Sequence, residues 1–354
     1  MTTKTNEAAW LIDPGTPLQV DKAPMPTSGQ GELVVRNFAV AINPLDSHMQ
    51  GAGVFVQQWP SIIGCDIAGE VHEVGPGASS RFKLGDRVIG HCLNLVTGRP
   101  QDGAFALYTV VPANKAAILP GNISYTDGVV VPFALEAAVC ALTIKEPGEA
   151  MPGVATPALG LPLPSSSGQN GPNFLKKVLV VYGGSSSVGS MTTQLATAAG
   201  VRVTTIAGRS NFELSKRSGA VEVIDRDDPD LVENVVQAVN SGEKGDFVGI
   251  FDAVSSAETY AHNLAILTKL GGGHLACVHP PPTDVPAKVK AGMIFAVNDA
   301  AHPVWRDFVT PALQAGRLQC LPPPTVVGKG LETVQDAIDK IKTGVSGTKL
   351  VVEL

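Results

Sequence analysis

Cysteine is scarce and scattered. The chain has five, Cys65, Cys92, Cys140, Cys277 and Cys320, and no CxxC pair. Such spacing excludes a structural zinc lobe, and an odd set of isolated thiols fits a reducing compartment. Positive charge is also short: the formal net charge is −6, which argues against a nucleic-acid partner, since that needs a concentrated basic surface. No uninterrupted apolar run approaches bilayer length, so no membrane span is expected. The N-terminal Met1-Thr2-Thr3-Lys4-Thr5-Asn6-Glu7 lacks the apolar stretch of a secretory leader. Together these absences predict a cytoplasmic protein. With 354 residues, 44% hydrophobic and 16% charged, the chain has ample core and is long enough for two domains.

The most informative segment present is Val178-Leu179-Val180-Val181-Tyr182-Gly183-Gly184-Ser185-Ser186-Ser187-Val188-Gly189. An apolar, β-branched run enters a tight Gly/Ser loop, which opens a helical pattern at Val188, Met191, Leu195 and Ala198. Strand, phosphate loop and helix follow in that order. Glycines there let backbone N–H groups approach a pyrophosphate, and the helix N-terminus adds partial positive charge. Strands are then expected at 201–207, 221–224, 247–253, 275–278 and 293–297, with helices at 211–218, 231–239 and 256–270. This alternation implies a doubly wound parallel sheet. Gly183, Gly184, Ser185, Ser186, Ser187, Val188 and Gly189 are the candidate pyrophosphate residues.

The tip of the second of these strands selects the dinucleotide. An NAD site places a carboxylate there for the ribose 2′-OH, whereas a 2′-phosphate is repelled by one. The tip reads Ala207-Gly208-Arg209-Ser210-Asn211, with no carboxylate before Glu213. Arg209 can pair with phosphate, Ser210 can donate to it, and Asn211 and Lys216 lie close by. NADPH is the expected cofactor. The plain alternatives are an exposed loop arginine and a solvated helix lysine.

The region before the loop reads as mostly β, with strands at 32–40, near 62–63, at 69–74 and at 87–90, amid dense Gly/Pro punctuation. After about residue 300 come helices at 304–315 and 331–343 and a terminal strand, Lys349 to Leu354, which is expected to add to the N-terminal β domain. Residues 147–173, rich in Pro, Gly and Ser, read as a linker or mobile loop with the option of a lid.

Ile42-Asn43-Pro44-Leu45-Asp46, Gly64-Cys65-Asp66-Ile67-Ala68-Gly69, Gly85-Asp86-Arg87-Val88 and the Gly183–Gly189 loop occur in the order seen in medium-chain dehydrogenase/reductases. Over essentially its whole length the chain resembles their zinc-independent, quinone-oxidoreductase-like branch. It is more narrowly similar to fungal trans-acting enoyl reductases of polyketide biosynthesis, through Gly160-Leu161-Pro162-Leu163-Pro164-Ser165, Asn211-Phe212-Glu213-Leu214 and Ser346-Gly347-Thr348-Lys349-Leu350. The resemblance implies an α/β protein in which a GroES-like mostly-β catalytic domain (1–132 and 300–354) accompanies a Rossmann doubly wound parallel sheet (133–299).

Zinc-dependent relatives carry a metal-binding Cys at or near Asn43 and a His-Glu pair at Cys65-Asp66, so the resemblance implies no metal. It implies further that Asn43 and Asp46 help fix the nicotinamide end, where the plain alternative is turn capping, and that Lys349 contributes to cofactor binding. His48 replaces a lysine common in related enoyl reductases, and Leu135-Glu136-Ala137 stands where they tend to carry a Ser-Thr-Ala-like run. His48 could donate a proton and Glu136 could orient it or bind a polar substrate. Alternatively, His48 is a surface side chain and Glu136 an N-terminal helix carboxylate. The expected activity is NADPH-dependent reduction of an activated C=C bond on an acyl-carrier-bound substrate, with a polyketide synthase as partner. The alternative is a stand-alone reductase or dehydrogenase of a ketone, alcohol or quinone.

Overall fold

A computed structural model describes residues 5–164, 175–241 and 245–354. The chain divides into two units, Met1–Phe133 with Pro323–Leu354, and Ala134–Pro322. The second is thus an insertion within the first. Its end lies at 322 rather than at the expected 299. Residues 300–322 side with the insertion because Trp305 donates to Glu136 (2.7 Å), and the Gln319 and Leu321 carbonyls accept from Gln194 and Ser190.

The first unit is built on a seven-stranded sheet ordered Pro324–Lys329, Lys349–Glu353, Glu32–Ala41, Asp66–Val74, Arg87–His91 and Ala116–Ile118, with Tyr108–Pro112 also paired to Glu32–Ala41. The terminal strand does join the N-terminal β unit, pairing antiparallel with Glu32–Ala41 through Val351 and Ala41. Cross-strand partners in antiparallel ladders share a sheet face. Val351, Ala41, Asp66 and His91 therefore form one row, with Lys349 two residues along on the same face.

The second unit holds a six-stranded, all-parallel sheet ordered Glu222–Asp225, Arg202–Ala207, Lys177–Tyr182, Asp246–Asp252, Gly273–Cys277 and Val289–Met293. Numbered along the chain, this is order 3-2-1-4-5-6, the doubly wound arrangement of dinucleotide-binding domains. Helices cover both faces of such a sheet, so its central strands bury nearly every side chain, as Val178 to Tyr182 do. Each fully buried Val or Leu there contributes about 1.5–3 kcal/mol.

Three expectations need correction. The last strand is Val289–Met293, not 293–297: its register is set by pairing with Gly273–Cys277, and the apolar residues 294–297 continue beyond the ladder. The single helix expected at 304–315 is two, His302–Asp307 and Val309–Gln314, parted at Phe308. A stretch of bilayer length does exist, Tyr125–Thr143, although Asp127 and Glu136 interrupt it; its best window is 78% buried, as in a core helix.

Within 147–173, Glu149–Met151 and Val154–Ala155 form a hairpin. The following backbone packs on Gly292, where a Cβ would lie 2.6 Å from Pro157 N. Of the segment 147–173, read as a linker, mobile loop or lid, residues 165–173 lie outside the described residues.

Candidate functional site

In the second unit, the loop after Lys177–Tyr182 has the geometry of a backbone cradle. Gly183 adopts φ +77° and its N–H, like that of Gly184, donates to the Ile206 carbonyl. A Cβ on Gly184 would stand 2.5 Å from Thr205 Cβ, so this glycine lets the loop close on the neighbouring strand. Ser186 caps the helix Ser187–Ala198 by accepting from Gly189 N (3.0 Å). The Ser187 hydroxyl is buried with no hydrogen-bond partner. An unsatisfied hydroxyl at a helix N-terminus, beside a glycine loop that admits close approach, fits a dinucleotide pyrophosphate.

At the tip of Arg202–Ala207, Arg209, Ser210 and Asn211 form a single 3-10 turn. Arg209 is 83% exposed and its Nε donates to Asp225 Oδ2 at 2.9 Å. Lys216 is committed to Glu213 on an exposed helix face. Two charged groups at this tip escape a linear reading. Asp225, at the end of the next strand, brings a carboxylate, kept ionised by the Asp227 N–H, Arg209 and Arg226. Arg226 sits against Gly208, its Nε 3.6 Å from where a Cβ would be, and its N–H binds the Ala207 carbonyl. The sequence signal was present as Asp225-Arg226, but only the parallel pairing of Ala207 with Asp225 places it here.

In the first unit, Asn43 precedes the helix Pro44–Ala52, and Asp46 reaches back to accept from Asn43 N at 2.7 Å. The Asn43 side chain donates to Asp66 Oδ2 (2.8 Å) and accepts from Lys349 Nζ. Lys349 Nζ also lies 3.2 Å from Asp66 Oδ2, and Asp66 Oδ1 accepts from Phe133 N at 2.6 Å. All of these polar side chains are buried. One oxygen of the group, Asp46 Oδ1, is buried without a partner. The expected Asn43 and Asp46 thus come together with Lys349 in one buried network.

His48 is exposed on the same helix. Glu136, in the second unit, is buried and accepts from the Trp305 indole. His91, which with Cys65 and Asp66 offers at most a weak set of metal-ligand types in the sequence, is buried; neither ring nitrogen has a well-formed hydrogen bond, and its ring lies 5.7 Å from that of Phe133.

Two of these groups titrate with opposite sign. Burial pushes the Asp46 carboxyl up to about 7; Asp66 adds to the push, while the Asn43 N–H and Lys349 oppose it. The folded chain therefore binds a proton that the unfolded chain has released, and stability falls as pH rises from 3.8 to about 7. Burial, then Lys115, hold the His91 imidazole down to about 3, so stability also falls as pH drops below 6.5. Asp46→Asn keeps an oxygen for the Asn43 N–H and removes the first titration. Urea unfolding should show it more stable than wild type at pH 8 by about 1 kcal/mol or more, with the gain shrinking toward pH 5. A loss at both pH values would refute this account.

Among the described residues, no group of three or more His, Cys, Asp or Glu is placed to hold a metal ion. The Cys65 and Cys92 thiols are pushed far up by burial and stay protonated.

A family described as the alcohol dehydrogenase GroES-like domain matches residues 29–121, within the first unit. One described as zinc-binding dehydrogenase matches 187–297, within the second. The chain is 68% identical over 351 residues to dehydrogenase orsE of Emericella nidulans, covering 99% of each chain. It is 34% identical over 361 residues to trans-enoyl reductase himH of Aspergillus japonicus, covering 100% of this chain and 99% of that one. Its fold matches a mycobacterial protein solved in complex with NADPH at a TM-score of 0.69 and 22% identity, over 99% of this chain and 100% of the other. With relatives this similar over its full length and both units matched in order, the chain belongs to the medium-chain dehydrogenase/reductase superfamily of oxidoreductases.

Proposed function

We propose that this protein is an NADPH-dependent reductase of an activated carbon–carbon double bond, a trans-acting enoyl reductase serving acyl chains carried by a separate polyketide synthase, and that it works without zinc. Full-length likeness to a trans-enoyl reductase carries the reading. The cofactor assignment is supported by NADPH in the mycobacterial neighbour and by two guanidinium groups at the Gly208 tip, which outnumber the one carboxylate there, Asp225, to which Arg209 is paired.

Bound NADPH supplies the hydride. The chain's part is binding, orientation and proton supply. The N–H groups of the Gly183–Gly189 loop not already bound within it, with the Ser187 hydroxyl, would hold the pyrophosphate; Arg209, Arg226 and Ser210 would hold the 2′-phosphate. Reduction of an enoyl thioester builds negative charge on the thioester oxygen, which needs a hydrogen-bond donor, and then requires a proton at the α carbon. His48 is the proton donor in this reading. Asn43 and Asp46 orient the helix that carries it, because the Asp46 carboxylate fixes the helix N-terminus on the Asn43 N–H. Glu136 remains tied to Trp305 and acts by holding that indole.

Arg209→Ala and Arg226→Ala are each expected to weaken NADPH about tenfold while leaving NADH within about twofold. Fluorescence titration of both cofactors checks this, and equal losses for the two would sink the 2′-phosphate assignment.

The deciding experiment is NADPH oxidation against a crotonyl- or α-methylcrotonyl-pantetheine thioester, with quinones, ketones and aldehydes alongside. Turnover of the thioester alone supports the enoyl reductase. Turnover only of the others supports the second reading, a stand-alone reductase or dehydrogenase, which is favoured by the 68% identity to a protein named as a dehydrogenase.

A further inference from the structure

Residue types that ligate metals lie in neighbouring strands and turns of the first unit, although no three of them are placed to hold an ion. Asp46, Cys65, Asp66, His91 and Cys92 are all buried there. Cys92 N donates to the Cys65 carbonyl (2.8 Å), and His91 stands opposite Asp66 in the ladder. Carboxylate, imidazole and thiolate are the ligands that zinc takes.

Two oxygens at the centre of this cluster are already bound to another cation. Lys349 Nζ donates to Asn43 Oδ1 and lies 3.2 Å from Asp66 Oδ2, with its side chain only 4% exposed. A divalent ion and an ammonium cannot share those two oxygens at bonding distance.

We infer that the Lys349 ammonium is the built-in cation of this centre: it positions Asn43 and Asp66 at the root of the Pro44–Ala52 helix and makes the fold independent of a metal ion. The inference rests on the zinc-free reading proposed above and deepens it by naming the group that replaces the ion. The topology explains why a lysine can do this. The strand Lys349–Glu353 lies beside Glu32–Ala41, which lies beside Asp66–Val74, so an ammonium from the first reaches a carboxylate at the start of the third. Removing one partner of such a buried pair strands the other charge, whereas removing both need cost little.

The test compares wild type with Lys349→Met, Asp66→Asn and the double variant. Thermal unfolding is followed with and without EDTA, and metal content is measured after incubation with excess zinc and desalting. Wild type is expected to retain no zinc and to unfold identically in EDTA. Lys349→Met should lower the midpoint by about 5–10 °C. Adding Asp66→Asn should recover at least half of that loss, because the freed Asn43 amide can turn its oxygen toward the amide introduced at position 66.

If Lys349→Met does not fold at all, recovery of folded protein in the double variant is the same readout. Stoichiometric zinc in wild type, or losses that simply add in the double variant, would overturn the inference. Failure of thioester turnover, with these unfolding and metal results intact, would instead sink the enoyl reductase reading alone.

Discussion

Gly189→Ala is expected to abolish measurable NADPH binding while leaving a folded protein. The added Cβ would stand 2.2 Å from the Gly183 carbonyl oxygen, 2.9 Å from its carbon and 3.0 Å from Ser186 Oγ. The first two are backbone atoms with little freedom to withdraw. Gly183 is held at φ +77°, and the Gly183 and Gly184 N–H groups are both tied to the Ile206 carbonyl. The loop must therefore lift off the helix N-terminus, spoiling the aim of the N–H groups that would cradle a pyrophosphate.

Overpacking of this kind costs about 1–3 kcal/mol, which a chain with this much buried apolar surface can absorb. Affinity should suffer far more, by about a hundredfold or greater, since several charge-assisted hydrogen bonds are lost at once. Fluorescence titration with NADPH, beside a melting curve, separates the two effects. Binding within threefold of wild type would show that this loop is not the phosphate cradle.

The largest loss of stability is expected at Asp252, where the strand Asp246–Asp252 ends. Its carboxylate accepts from Val254 N (2.9 Å), Ser255 N (2.8 Å), Thr259 Oγ1 (2.6 Å) and Asn263 Nδ2 (2.8 Å). Asp252→Ala orphans all four donors in a buried place and should cost about 4 kcal/mol or more in urea unfolding.

Asp252→Asn should cost only about 1–2 kcal/mol. Its oxygen still serves the two backbone N–H groups. Asn263, whose Oδ1 is buried without a partner, can flip to accept from the new amide. Similar losses for the two variants would refute this account. The alanine variant should also weaken NADPH, because the turn shaped by Asp252 presses Val254 against Gly183, leaving 2.8 Å between Val254 Cγ2 and the Gly183 Cβ position.

Much of the second unit was legible because its signals are local. A β-branched run, a glycine loop, an N-capping serine and a helical stripe lie within one short segment, and the pattern repeats along the chain. The expectation failed where a local signal had to be cut by a partner. The apolar residues 294–297 looked like strand, but the ladder with Gly273–Cys277 ends at Met293. The tip charges were misjudged in the same way: Arg209 was visible, while Asp225 and Arg226 reach it only through strand pairing.

By itself, then, the amino-acid order determined the elements and their class. It specified a parallel doubly wound sheet inserted into a β unit, the glycine loop, and the return of the terminal strand to the N-terminal sheet. Such features follow from side-chain periodicity and backbone preference within a few neighbouring residues. Only tertiary structure decided the partners of charge. Lys349 and Asn43 are 306 residues apart in the chain yet share a buried hydrogen bond. His91 becomes a buried imidazole through its row with Asp66, whereas His48, close to Asn43 in sequence, ends on the surface. The physical reason is desolvation. Burying a charge is tolerable only beside its counter-charge, and a sequence specifies the two charges without specifying the distance between them.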